Sequence, residues 1–274
     1  MSKTAAACLA GFVTIATAPM GRWLAAATRA RTAQKLTPRI SADTPRGPIR
    51  FITPSKMALY WPRRAFLDEP QTLMWLDTLR DGDVLWDIGA NVGAYAMYAA
   101  LGRQVAVHAF EPNPFTFATL SRNVAINGLS DRISSYCIAL NDETKVDRLY
   151  LESDEEGTVL NVFGAKELDR GFGLKRELEV ATLGFTIDHL VGMIGLAQPT
   201  HIKIDVDNIE ERIVAGASQT LANSHLRSVL IEVDSEDALQ TKSIETAMAA
   251  AGLIAGERHT LMDARFYNQI FQRP

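Results

Sequence analysis

Val84 to Tyr95 reads VLWDIGANVGAY. Three apolar residues lead into Asp87, Gly89, Asn91 and Gly93 punctuate the middle, and Tyr95-Ala96-Met97-Tyr98-Ala99-Ala100 continues as a good helix former. The stretch predicts a strand, a tight glycine turn and a helix start. Glycine permits backbone angles and close approach that a Cβ would block, and the first turn of a helix carries N–H groups without intrahelical partners. A ligand cradle is the expectation.

A dinucleotide fingerprint G-x-G-x-x-G would need glycine at 91 and 94, where the chain has Asn91 and Ala94. An acid at the strand end is also a poor neighbour for pyrophosphate. Asp87 suits a ligand with a positive group beside a carboxylate. S-adenosylmethionine combines an ammonium, a sulfonium and a carboxylate, so an acid beside an N–H cradle fits it better than NAD.

Downstream, Val105 to Phe110 is a second apolar run ending in an acid, Glu111, 22 residues after Gly89. An acid at about that spacing reaches the ribose hydroxyls of a nucleoside ligand, and one carboxylate can accept from both. Phe115 to Ile126 predicts a helix stopped by Asn127-Gly128, and Ile133 to Leu140 a third strand, with Cys137 as a small core residue inside it. This alternation calls for a parallel sheet with right-handed crossovers and a ligand outside the carboxyl ends of its strands. Asp87, Glu111 and the Ala139-Leu140-Asn141 corner would lie there.

Residues 141–198 are long for one connection. They hold strands at Val146 to Leu151 and near Glu177 to Thr182, glycines at 157, 164, 171 and 173, and a helix from Thr186. Long insertions at a ligand-facing edge form lids and substrate walls, so substrate choice is expected here. Beyond it, HIKIDVDNIE (His201 to Glu210) is a buried strand ending in Asp205, with Asp207 and Glu210 just after. SVLIEVD (Ser228 to Asp234) carries Glu232 and Asp234 to the same edge. A helix at Ser243 to Ala251 and strands near Arg258 to Met262 and Phe266 to Phe271 close the chain.

Upstream, Pro70 to Leu79 predicts a helix, and Asp81-Gly82-Asp83 the turn feeding the opening strand. Residues 36–64 contain Pro38, Pro45, Pro48, Pro54 and Pro62, so short extended pieces such as Ile49 to Ile52 are expected and long helices are not. Residues 1–45 read as a helical or irregular extension and 46–274 as the main domain, about 230 residues, which suits one α/β unit. The apolar run Ala5 to Met20 is shorter than a spanning helix needs. It reads as a signal peptide ending near Ala16-Thr17-Ala18, or as a helix resting on the domain, a partner or a membrane surface.

The 274 residues are 47% hydrophobic, enough for a core, and carry a net charge of −4. No global basic field recruits nucleic acid, which is not an expected partner. Two cysteines, Cys8 and Cys137, cannot build a disulfide framework or a metal knuckle, so a reducing, cytoplasmic setting is expected.

With these pieces in order, the chain resembles the FkbM family of S-adenosylmethionine-dependent methyltransferases. The resemblance spans roughly residues 50–272 and rests on DIGANVGAY (Asp87 to Tyr95), AFEPNPF (Ala109 to Phe115), RNVAINGL (Arg122 to Leu129), IKIDVDNIE (Ile202 to Glu210) and LIEVD (Leu230 to Asp234). It implies a Rossmann-like α/β fold, a mostly parallel seven-stranded sheet with helices on both faces and an antiparallel last strand. It also implies methyl transfer to a hydroxyl on a sugar, glycolipid or secondary metabolite. By position, Asp87, Gly89, Asn91 and Gly93 would hold the methionine end of S-adenosyl-L-methionine, Glu111 the ribose, and the backbone at Ala139 the adenine. Asp205 would sit under the sulfonium and the acceptor. Asn208 stands where the family commonly has glycine.

Methyl transfer needs alignment and removal of the acceptor's proton. Asp205, Asp207 and Glu210 are the candidate bases. His108 and His201 fall inside buried strands, where a hydrogen-bonded core histidine is the simpler role. Asp205, Asp207, Glu232 and Asp234 could offer oxygen ligands to a divalent cation, but alternate strand residues face opposite ways, so no metal is expected. The partner is a small-molecule or glycan acceptor. A nicotinamide oxidoreductase and a non-catalytic cofactor-binding homologue are the rival readings.

Overall fold

The apolar runs ending in acids form the parallel part of a seven-stranded sheet. In the computed structural model, which describes residues 2–164, 177–207 and 209–274, they are β1 (Val84–Ile88), β2 (Ala106–Phe110), β3 (Ile133–Tyr136), β4 (His201–Ile204) and β5 (Ser228–Asp234). With β6 (Ile254–Thr260) and β7 (Phe266–Gln272) the spatial order is β6-β7-β5-β4-β1-β2-β3. Neighbours run parallel from β5 to β3, while β7 is antiparallel to both β5 and β6. The expected Rossmann-like sheet with its antiparallel last strand is present.

Both faces of the sheet are covered, which is why β4 is buried at every position. Successive residues of β1 serve opposite cores. Leu85 joins Met97, Tyr98, Val107 and Leu120 on one side. Trp86 and Ile88 join Phe110, Ile202, Ile204 and Ile213 on the other. The helices are α1 (Lys56–Asp68), α2 (Pro70–Asp77), α3 (Ala94–Ala100), α4 (Pro114–Ile126), α5 (Glu210–Ala215), α6 (Ser218–Ala222) and α7 (Ala238–Ala250). Asn113 caps α4 by accepting from Phe115 N–H, and Asp237 starts α7 earlier than the sequence suggests by accepting from Leu239 and Gln240 N–H.

Three expectations need correction. A long helix does form among the prolines. Ser55 Oγ accepts from Ala58 N–H at 2.9 Å to start α1, and Pro62 sits inside it, buried with Ala58 and Ala65. Core packing of that face outweighs the backbone bond a proline forfeits. The third strand also ends at Tyr136. Ala139–Leu140 leaves the main sheet and pairs in parallel with Leu178–Phe185, in a four-stranded sheet with Lys145–Leu151 and Val162–Phe163. Cys137, at the break between the two sheets, is exposed rather than core.

The chain divides into two compact units, Met1–Arg39 and Ile40–Pro274. The first contains helices Ser2–Thr17 and Arg22–Leu36, with Phe12, Ile15 and Trp23 exposed. Because helical structure begins at Ser2 and a short turn of helix continues through Met20, the apolar stretch Lys3–Met20 is long enough to cross a membrane by length and composition, contrary to the sequence reading; its place near the N-terminus is also that of a signal sequence. Gly171, Gly173 and Asn208, singled out above, lie outside the described residues.

Candidate active site

The loop after β1 has the predicted turn, but its glycines serve a different purpose. Gly89 and Gly93 have φ of +83° and +88°, and Asn91, at φ +47°, takes the same left-handed region without being glycine. A Cβ on Gly89 would stand 1.8 Å from the Asp205 carbonyl oxygen, and one on Gly93 would stand 2.5 Å from Leu120 Cδ1. Close approach is needed, and it is approach of protein to protein. The N–H groups are also occupied. Gly89 and Ala90 donate to Phe110 O, Asn91 to Glu111, Val92 to the Asn91 side chain and Gly93 to Ala90 O. The loop from 89 to 93 offers a ligand shape and charge rather than a row of free donors.

Glu111 follows β2 and is nearly buried. Its Oε2 accepts from Asn91 N–H at 3.0 Å and its Oε1 from Asn113 N–H at 2.9 Å. Burial pushes its pKa up to about 8, against the pull of those two N–H donors. Each oxygen keeps a lone pair, and the carboxylate lines the cleft that opens above the loop, about 110 Å³ of water-accessible space.

Asp87 lies beneath that cleft rather than on its wall, with 1% of its surface exposed. Neither carboxylate oxygen completes a hydrogen bond. Burial lifts its pKa to about 6, opposed by the Lys203 ammonium and assisted by Asp205. Lys203 is level with Asp87 on the neighbouring strand β4. Its Nζ donates to Asp205 Oδ2 at 2.5 Å and stands 4.9 Å over the Tyr95 ring. Burial alone would lower the lysine pKa, but Asp205, Asp87 and Glu69 together raise it above the ordinary range, so the side chain is a fixed cation.

Of the residues picked from sequence, Gly89, Asn91, Glu111, Asp205 and Asp207 meet at this one cleft. Asp207 Oδ2 accepts from the N–H groups of Leu160 and Asn161, clasping the segment that carries Thr158, Val159 and Asn161 over the cleft. Glu210 is not on the wall; it is buried at the start of α5 and accepts from Gln240 Nε2 at 2.7 Å. Gly93 packs behind the loop against α4. Ala139 lines a small adjoining apolar cavity with Ile88, Phe110, Ile138 and Phe163, where a flat heterocycle would find apolar walls. Asp234 is held by Arg265, 2.7 Å away. Among the described residues, no group of three or more His, Cys, Asp or Glu side chains converges to hold a metal ion. His201 bonds Ser228 Oγ at 2.7 Å and Asp83 Oδ2 at 3.2 Å, the satisfied core histidine expected, and His108 contacts Tyr136 Oη at 3.0 Å.

Sequence reasoning missed Trp61, Ala65, Glu69 and Lys203, all on the cleft wall. The first three recur every fourth residue, one stripe along α1 and into the α1–α2 junction, a spacing that Pro62 concealed. Lys203 was visible as the one charge inside the apolar strand HIKI. Buried lysines are rare unless paired, and that was the available signal.

The sequence model for the "Methyltransferase FkbM domain" matches residues 87–253, more than half of the chain. A 31-O-demethyl-FK506 methyltransferase, FkbM, from Streptomyces tacrolimicus is 28% identical over 71% of this chain and 82% of its own length. The hexuronic acid methyltransferase AglP of Haloferax volcanii is 27% identical over 58% of this chain and 59% of its own. Among solved structures, the methyltransferase FkbM of Methylobacillus flagellatus superposes with a TM-score of 0.50 at 17% identity, covering 71% of this chain and 45% of that one. The last match supports the shared fold alone, whereas the domain match decides membership. The chain belongs to the FkbM family of methyltransferases.

Proposed function

We propose that this protein transfers a methyl group from S-adenosyl-L-methionine to a hydroxyl oxygen of a small-molecule or glycan acceptor. The observation that carries the donor is Glu111, a buried carboxylate whose two oxygens each hold one backbone N–H and face the cleft with a lone pair to spare. Such a group fits the paired hydroxyls of a ribose. The apolar cavity beside Ala139 fits the base, and the unpaired carboxylate of Asp87 favours a cationic amino acid end. A pyrophosphate is a poor fit, because the N–H groups from Gly89 to Gly93 already have acceptors. That disfavours the nicotinamide reading.

When bound, the donor supplies an electrophilic methyl on a positively charged sulfur. The remaining work belongs to the chain. Asp205 has one oxygen tied to Lys203 and a side chain open to the cleft, so it can hold an acceptor hydroxyl through Oδ1 and take its proton as the carbon–oxygen bond forms. The Lys203 ammonium keeps that carboxylate oriented. Asp207 is spent on the clasp, and Glu210 on Gln240, so neither has Asp205's access. Trp61, Ala65 and Thr158 supply a wall for an acceptor of sugar or metabolite size. The relatives' named substrates, a macrolide and a hexuronic acid, fit that acceptor class.

Calorimetry with S-adenosylmethionine and with NADH tests the donor. Binding of NADH without S-adenosylmethionine overturns the proposal. Incubation of a metabolite pool with methyl-labelled donor tests the chemistry, and Asp205→Asn is expected to slow label transfer at least about 100-fold. Donor binding with no transfer to any acceptor would instead identify a non-catalytic homologue.

A further inference from the structure

Lys203 is a single ammonium among an excess of carboxylates. Asp205 binds it directly, Asp87 lies level with it on β1, and Glu69 reaches it from the junction of α1 and α2. Glu232, from β5, is electrostatically joined to Asp205 and Glu69. Glu69 is oriented by Thr72 Oγ1 and Asn268 Nδ2, each 2.9 Å away, and it lines the cleft together with Asp205, Lys203 and Tyr95. Four acids thus surround one fixed cation.

The cluster is short of positive charge, and two independent observations say so. The Asp87 carboxylate, with 1% of its surface exposed, has no hydrogen-bond partner on either oxygen. Burial and mutual repulsion also lift the pKa values of Asp87, Glu69 and Glu232 despite the lysine, as carboxylates do when they lack a counter-ion. The part of the cluster that reaches the cleft is the Glu69 carboxylate and the Asp205–Lys203 pair, beside the Tyr95 ring.

We propose that Glu69 and the Asp205–Lys203 pair, backed by Asp87, form a charge-selective subsite that takes a sulfonium or ammonium centre and discriminates against the neutral thioether left once the methyl group has gone. The inference rests on the donor assigned above. As the acceptor oxygen forms its bond to the methyl carbon, the electrons of the carbon–sulfur bond return to sulfur, which loses its positive charge. The subsite then loses the counter-ion it was short of, and the spent product is held less tightly than the fresh donor. Charge would set the direction of exchange.

The test is calorimetry of the full chain with S-adenosylmethionine, S-adenosylhomocysteine and sinefungin, whose amine carries the positive charge in place of the sulfonium. At pH 8 the wild type is expected to bind both cationic ligands about tenfold more tightly than the neutral one. Glu69→Gln is expected to reduce that preference to less than about threefold by weakening the cationic ligands alone. Lowering the pH to 5.5, where Asp87 and Glu69 take up protons, is expected to narrow the same ratio in the wild type, so the question is decided even if Glu69→Gln does not fold. Equal wild-type affinities for the three ligands overturn the subsite while leaving the donor assignment standing. Failure to bind any of them overturns the donor assignment, and the subsite with it.

Discussion

Glu111 makes a prediction that can be worked through in numbers. Replace it with glutamine. The wild-type carboxyl moves from an ordinary 4.5 in the unfolded chain to about 8 in the folded one, chiefly through burial. The folded state therefore holds the proton more tightly than the unfolded state. By linkage, the stability contributed by this group is greatest at low pH, is lost as pH rises from about 4.5 to about 8, and is constant beyond. At about 1.4 kcal/mol per pH unit, most of that rise falls between pH 5 and pH 8.5, and the loss across the interval is about 4 kcal/mol. That is a large share of the 5–15 kcal/mol typical of a folded domain.

Glutamine does not titrate. It has one oxygen where Glu111 uses two, so one of the N–H groups of Asn91 and Asn113 loses its acceptor, at a cost of about 1–2 kcal/mol that does not change with pH. Urea unfolding of wild type and Glu111→Gln at pH 5 and pH 8.5, without ligand, separates the two effects. The variant is expected to gain on the wild type by about 4 kcal/mol between the two pH values. It is also expected to lose donor affinity, because the lone pairs left for ribose hydroxyls are halved. A stability difference that stays the same within about 0.5 kcal/mol at both pH values would refute the buried, protonatable carboxyl and with it this account of the site.

Two further outcomes follow from the backbone. Gly89→Ala places a Cβ 1.8 Å from the Asp205 carbonyl at φ +83°, and is expected to cost more than about 3 kcal/mol by thermal unfolding; a change below 1 kcal/mol would mean that β1 and β4 part there easily. Asp207→Ala removes the acceptor for Leu160 and Asn161, and Leu160 holds a left-handed φ of +61° that the clasp helps maintain. Limited proteolysis is expected to cut near Leu160 at least about tenfold faster in the variant, and an unchanged rate would show that the other contacts of the segment suffice.

The sheet was legible because each parallel strand announces itself twice, as an apolar run and as the acid or turn that ends it. VLWD, AVHAFE and SVLIEVD carry that pattern, and all became strands of the main sheet. What failed was local. Pro62 argues against a helix by propensity, yet Ala58, Pro62 and Ala65 present one small, buried face that tertiary packing keeps helical. The run ISSYCIAL looks continuous, but Tyr136 and Ala139 belong to different sheets, a division that depends on strands about forty residues later. In the site, residue types were easier to read than directions. Asp205, Asp207 and Glu210 share one short stretch, and only the fold assigns one to Lys203, one to a clasp and one to Gln240.

The same fold changes what the opening glycines mean. Gly89 is where the end of β1 touches the end of β4, and it touches at Asp205, whose own N–H donates to Ile88 O at 3.0 Å. The donor-side loop and the candidate base are thus joined through backbone, with no side chain between them to change rotamer. In-line transfer depends on holding donor and acceptor groups within a fraction of an ångström, and a rigid backbone join supplies that alignment before any ligand arrives. The glycine that a sequence reading assigns to ligand approach therefore works one step earlier, by fixing the distance between the two halves of the reaction.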